Sequence, residues 1–176
     1  DLLAGSGITF GMYVGKTPER EAGVTGKRLA ANSSHADYVA EIDKLRAEGN
    51  PTVVHPPEER CSREMMRRTG EQPRILLTNV KQLELLLTRQ QDVELFDDAL
   101  LDYLVFDEAH TFRGALVAEA ACLIRRLRSF CGRGQDETVC VATSATIVDE
   151  QNPDAARDFA SRFFGVSHDR IETVNE

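Results

Sequence analysis

At 176 residues, with 41% hydrophobic and 28% charged positions, the chain can bury roughly two-thirds of its extended surface, so one folded domain is the default expectation. A formal net charge of −8 argues against a protein that coats nucleic acid through bulk charge. No run approaches the roughly 20 consecutive apolar residues of a membrane helix, and Asp1-Leu2-Leu3-Ala4-Gly5 has neither a basic start nor a small-residue cleavage site, so a soluble, cytoplasmic protein is expected. The chain starts without methionine inside an ordinary folded segment, which predicts further sequence upstream.

Taken in order, the apolar run Ile8 to Val14, bounded by Gly7 and Gly15, predicts a strand. Thr17-Pro18-Glu19 offers a helix start that Gly23 and Gly26 interrupt. A helix is expected over Ala36 to Ala47, after which Pro51, Pro56 and Pro57 break regular structure, so residues 30–60 are read as an insertion in the core pattern. From residue 73 the order tightens: a strand Arg74 to Thr78, a helix Val80 to Leu87, and a nearly all-apolar strand Leu101 to Asp107 expected to be buried on both faces. Gly114 to Arg128 predicts a helix whose buried stripe is Leu116, Ala120, Leu123, Ile124 and Leu127. Thr138 to Thr143 is a further strand, Asp154 to Phe164 a helix ending at Gly165, and Ile171 to Val174 a last strand. Alternating strands and helices predict a doubly wound α/β sheet with ligands at the carboxyl ends of its strands, where Asn79, Asp107 and Ser144 fall.

Cys61, Cys122, Cys131 and Cys140 include no Cys-x-x-Cys pair and are expected to be reduced structural thiols, Cys122 and Cys140 serving as small hydrophobes. Two arginine groups, Arg60, Arg63, Arg67, Arg68 and Arg74, then Arg125, Arg126, Arg128 and Arg133, are open to two readings: contact with phosphates or a solvated helix face.

The strongest chemical signal is Val105-Phe106-Asp107-Glu108-Ala109-His110. A carboxylate at the end of a buried strand can hold magnesium through water, and the next acid can orient or deprotonate an attacking water. Ser144-Ala145-Thr146 closes a second apolar run in the same way. A zinc site at His110 competes weakly, because His35, His55, His110 and His168 form no His-x-x-x-His pair.

Asp107-Glu108-Ala109-His110 resembles motif II of superfamily 2 DEAD/DEAH-box helicases, and Ser144-Ala145-Thr146 resembles their motif III. Ile75-Leu76-Leu77-Thr78-Asn79 and Tyr13-Val14-Gly15-Lys16-Thr17 are similar to segments of those proteins that touch the nucleic-acid backbone. His110 to Gly114, with Leu123 to Arg128 behind it, resembles the DEAH subgroup that includes bacterial repair and defence helicases. The resemblance implies the C-terminal part of a first RecA-like domain over residues 1–176: a parallel sheet flanked by helices, incomplete because its phosphate-binding loop lies elsewhere. It further implies that Asp107 binds magnesium, Glu108 activates water, and His110, Ser144 and Thr146 couple nucleotide state to the track. Gly15, Thr78 and Asn79 would contact the sugar-phosphate backbone, which carries little sequence information. ATP and magnesium are the implied cofactors. The implied partners are single-stranded nucleic acid, DNA in preference to RNA, a second RecA-like domain, and other subunits of a defence or repair complex.

The chain also departs from that pattern. Gly11-Met12-Tyr13-Val14-Gly15-Lys16-Thr17 has three residues between its glycines where a phosphate loop needs four, and Pro18 delays any helix. The true loop is expected upstream of Asp1, and the fragment alone is expected to be inactive. Two other readings stay open: a helicase-fold binding or scaffold module without turnover, and an unrelated metal-dependent hydrolase using Asp107 and Glu108.

Overall fold

The computed structural model describes residues 2–96, 99–144 and 154–174. The chain is α/β and divides into two compact units, Asp1–Leu95 and Phe96–Glu176. Among the described residues the strands form three two-stranded parallel sheets.

The first unit runs β1 (Phe10–Tyr13), β2 (Lys27–Arg28), α1 (His35–Ala47), β3 (Val54–His55), α2 (Arg63–Arg67), β4 (Ile75–Thr78) and α3 (Val80–Leu86). β1 and β4 pair in parallel from Phe10 opposite Ile75 to Tyr13 opposite Thr78, matching both predicted strands. α1 opens with a capping box: the Ser34 hydroxyl accepts from the Asp37 N–H while the Asp37 carboxylate accepts from the Ser34 N–H. Its Tyr38, Ile42 and Leu45 pack with Ala4, Leu29 and Val54. β2 and β3 were not predicted, because Pro51, Pro56 and Pro57 confine the pairing to two residues on each strand. The Lys27 N–H to Val53 and Leu29 N–H to His55 bonds, 2.8 and 2.9 Å, nonetheless form. Residues 30–60 therefore hold a helix laid against a short strand pair, and the chain leaving it runs beside β1, with Arg60 N donating to Phe10 O at 2.8 Å.

Four of the five arginines here have partners within the chain, while Arg74 is exposed. Arg67 bridges Glu19 and the fully buried Asp92, whose Oδ1 also accepts from the Tyr13 hydroxyl at 2.8 Å. Arg63 lies 4.8 Å over the Tyr13 ring and donates to Val14 O, Arg60 donates to the carbonyls of Pro57 and Glu71, and Arg68 pairs with Glu21 and Glu71. A buried ion pair costs desolvation, so its effect here is to fix where Tyr13, α2 and the Asp92 turn meet.

The second unit runs β5 (Tyr103–Phe106), α4 (Ala115–Phe130), β6 (Val139–Ala142) and α5 (Ala155–Phe164). β5 starts later than expected, because Leu101 has a positive φ of 34°. Burial on both faces is corrected as well. Leu104, Phe106 and Cys140 turn toward the helices, while Tyr103 and Val105 are 69% and 60% exposed and Val139 and Val141 are exposed beside them. With α4 and α5 packed on one side, the period of two sends alternate side chains to the other. On the packed side Phe106 meets Phe163, Phe164 and Phe112 edge-on at 4.9, 6.0 and 5.7 Å. α4 buries Ala120, Ala121, Leu123, Ile124, Leu127 and Arg128, but Leu116 on its first turn is exposed. Arg128 donates to Phe164 O at 2.6 Å, satisfying a carbonyl at the end of α5, and to Cys140 Sγ at 2.8 Å. Of the other arginines in this group, Arg133 pairs with Asp102 and Glu137, while Arg125 and Arg126 lie on the exposed face of α4. α5 ends at Gly165 in the left-handed region, φ 67°, as predicted. Ile171 to Val174 forms no strand: Ile171 N is held by His168 O and Val174 is 93% exposed, in a stretch too polar to bury. All four cysteines are free, and Cys122 is exposed rather than a core hydrophobe. No described helix is long and apolar enough to cross a membrane.

Burial, and after it the Asp92 carboxylate, push the Tyr13 phenol up to about 12. A group that holds its proton more tightly when folded contributes stability that is complete below its unfolded pKa of about 10 and is lost as pH rises through about 12. The stability difference between the native chain and Tyr13→Phe is therefore expected to be constant below pH ~10 and to shift against the native chain by about 2–3 kcal/mol toward pH ~12. Denaturant titrations across that range check it, and a difference that does not change with pH would contradict it.

Candidate functional site

The parallel register of the second unit sets the position of the acidic pair. Phe106 lies opposite Ala142, so Asp107 and Thr143 are the next residues out of adjacent strands at the same carboxyl edge. The ladder continues one step beyond the strands, with Thr143 N donating to Phe106 O at 2.9 Å and Ala109 N to Thr143 O at 2.8 Å. The Thr143 hydroxyl donates to Asp107 Oδ1. Glu108 N is shared between Asp107 Oδ1 at 3.1 Å and Thr143 Oγ1 at 3.2 Å. Sequence alone gives no sign of this role for Thr143: as the last member of a β-forming run it signals only strand propensity, and its hydroxyl acts through a partner 36 residues away.

One carboxylate oxygen of Asp107 is thus fixed by two donors, and Oδ2 has no hydrogen bond among the described residues. An exposed carboxylate with one oxygen anchored and the other open can hold a hard divalent cation directly or through water. Glu108 takes the left-handed conformation, φ 52° and ψ 44°, which turns the chain sharply enough for Ala109 N to reach Thr143. Its carboxylate stays largely exposed, with Oε2 3.2 Å from His110 Nδ1. The Ser144 hydroxyl lies 3.5 Å from the same His110 nitrogen. Protonated Nδ1 donates to Glu108, and unprotonated Nδ1 can accept from Ser144, so His110 sits between the acid and the second strand end and can serve either. Ala145 and Thr146 lie outside the described residues.

At the carboxyl edge of β1 and β4 in the first unit, Thr78 lies opposite Tyr13, Asn79 is the next residue of its strand end, and Gly15 follows two residues after Tyr13. The Thr78 hydroxyl donates to Tyr13 O at 2.7 Å, tying the two strand ends. Asn79 caps α3, its Oδ1 accepting from Gln82 N at 2.9 Å, which leaves its amide N–H groups for an outside acceptor. Gly15 is exposed and a side chain there would meet nothing within 4 Å, so neighbours do not require a glycine. In the glycine-lysine-threonine stretch, Thr17 is turned inward, donating to Met12 O at 2.6 Å and accepting from Val14 N at 2.9 Å; no helix begins there to cradle a phosphate.

No protein-family profile matches the chain, and neither does any solved structure. Two proteins resemble part of it. Over 107 residues, 54% of this chain, it is 36% identical to the Druantia protein DruE of Escherichia coli strain UMEA 4076-1, and the match covers 6% of that protein. Over 87 residues, 48% of this chain, it is 37% identical to the uncharacterized ATP-dependent helicase YprA of Bacillus subtilis strain 168, covering 11% of it. The chain spans only a small fraction of the length of these relatives.

A left-handed glutamate costs about 1–2 kcal/mol that glycine does not incur. Glu108→Gly is accordingly expected to be more stable than Glu108→Ala by about 1 kcal/mol, the reverse of their order in a helix. Chemical denaturation of the two variants checks this, and an alanine variant equal to or more stable than the glycine variant would count against the conformation.

Proposed function

We propose that this chain is part of the first RecA-like domain of an ATP-dependent nucleic-acid helicase or translocase of the DEAD/DEAH-box type. The observation that carries the reading is the hydrogen-bonded edge of β5 and β6, where Asp107, Glu108, His110 and Ser144 converge around the Thr143 hydroxyl. The similarity to YprA, itself named as an ATP-dependent helicase, supports it independently.

In this reading Asp107 is the magnesium ligand, and its open Oδ2 fits that role. Magnesium held there together with ATP would supply positive charge against the negative charge that builds on the phosphates as the bond breaks. Glu108, raised on a left-handed turn beside Asp107, orients the attacking water and accepts its proton. His110 exchanges partners between Glu108 and Ser144, and His110, Ser144 and Thr146 together link the nucleotide state to the nucleic-acid track. The sequence holds no G-x-x-x-x-G-K-[ST] loop, so the phosphate cradle belongs to another segment of the native protein. Gly15 and the Asn79 amide meet the backbone of single-stranded nucleic acid, DNA in preference to RNA, through groups that bond phosphate without reading bases. Thr78 holds the edge beneath them. A second RecA-like domain and other subunits of a repair or defence complex complete the proposed machine.

In the complete protein, Glu108→Gln is expected to leave ATP binding largely intact and to lower nucleic-acid-stimulated hydrolysis by about a hundredfold or more. Steady-state hydrolysis together with nucleotide binding measures both, and unchanged turnover would reject the role of Glu108.

A further inference from the structure

His55 presents both ring nitrogens to oxygen. Nε2 lies 2.9 Å from the Thr25 carbonyl oxygen, and Nδ1 lies 2.8 Å from Glu59 Oε2. A carbonyl only accepts, so the hydrogen on that side belongs to Nε2, and the lone pair of the neutral ring then faces a carboxylate. Two electron-rich atoms this close need a cation between them, either a proton or a metal ion. Cys61 supplies a third donor: the ligand atoms of His55, Glu59 and Cys61 all lie within 4.8 Å of one another.

We propose that His55, Glu59 and Cys61 form a binding site for a divalent transition-metal ion of the zinc type, separate from the acidic edge of β5 and β6. One nitrogen, one oxygen and one sulfur donor suit zinc and its neighbours and do not suit magnesium or calcium. Tetrahedral zinc, with bonds of about 2.0–2.3 Å, holds its ligand atoms about 3.3–3.8 Å apart, so this trio closes on an ion through side-chain adjustment of about an ångström. Three protein ligands leave the fourth position to solvent.

The surroundings are built for a fixed imidazole. The Thr25 carbonyl holds the ring through Nε2 and aims Nδ1 as the ligand, the outer-shell arrangement common to metal-bound histidines. Gly26, at φ 118°, lets the chain pass close to the ring, since a side chain there would lie 2.8 Å from His55 Nε2. Burial, with the Glu59 charge behind it, pushes the Cys61 thiol up to about 12, so without an ion it is protonated and a poor nucleophile; metal binding would displace that proton. The ion would tie His55 on β3 to the segment that pairs with β1 at Phe10 and Glu59. It would thus fix the end of β3, whose pairing with β2 is only two residues long on each side.

The test is titration of the full reduced chain with cobalt(II) as a spectroscopic probe, followed by zinc. One equivalent of cobalt is expected to bind with a thiolate-to-metal charge-transfer band, zinc is expected to displace it, and zinc is expected to raise the melting temperature. Both the band and the stabilisation should vanish in Cys61→Ser, with Glu59→Gln as a second variant that retains the shape of the site and weakens binding. Far-ultraviolet circular dichroism confirms that each variant is folded. Failure of the native chain to bind cobalt stoichiometrically would mean that only a proton bridges His55 and Glu59, and would overturn the proposal. A band that persists in Cys61→Ser would overturn it too, by placing the ion on another cysteine.

Discussion

A single hydroxyl organises the acidic edge. Thr143 follows β6 at the level where Asp107 follows β5, and its side chain bonds the Asp107 carboxylate and the Glu108 N–H together. That clip is possible only in the register that puts Phe106 opposite Ala142, and the register is in turn held by the aromatic packing of Phe106 against α5. A slip of one residue would move Phe106 to the exposed face and carry the carboxylates with it. Core packing, strand register and the placement of the acids are therefore one constraint seen at three scales.

Charge is used locally and not as a field. Within the first arginine group, Arg67 meets Glu19 and Asp92 and Arg68 meets Glu21, acids distant in sequence. The open groups at strand ends include Gly15 and the Asn79 amide in one unit and Asp107 and Glu108 in the other. Such a surface suits contacts made by geometry, one phosphate oxygen or one cation at a time, in place of bulk attraction.

Much of this was legible in the sequence because it depends on local patterning. The apolar runs ending at Phe106 and Ala142 located β5 and β6, the 3.6-residue spacing located α4, and Gly165 located the end of α5. What escaped depends on partners distant along the chain. Nothing near Glu108 signals a left-handed residue, since its conformation is set by the bond from Ala109 N to Thr143 O. Nothing near Arg67 points to Asp92, and the β2–β3 pair hides among prolines. The one-sided burial of β5 escaped for a related reason, as an all-apolar strand reads the same whether one or both faces are covered.

The central claim is that Asp107, anchored through Oδ1, offers Oδ2 to a cation that arrives with a nucleotide. Manganese(II), a paramagnetic stand-in for magnesium with the same preference for oxygen ligands, tests this by electron paramagnetic resonance on the complete protein with a non-hydrolysable triphosphate. The account predicts one nucleotide-dependent manganese site whose affinity falls about tenfold or more in Asp107→Asn while the fold is retained. An unchanged manganese site in that variant would contradict it.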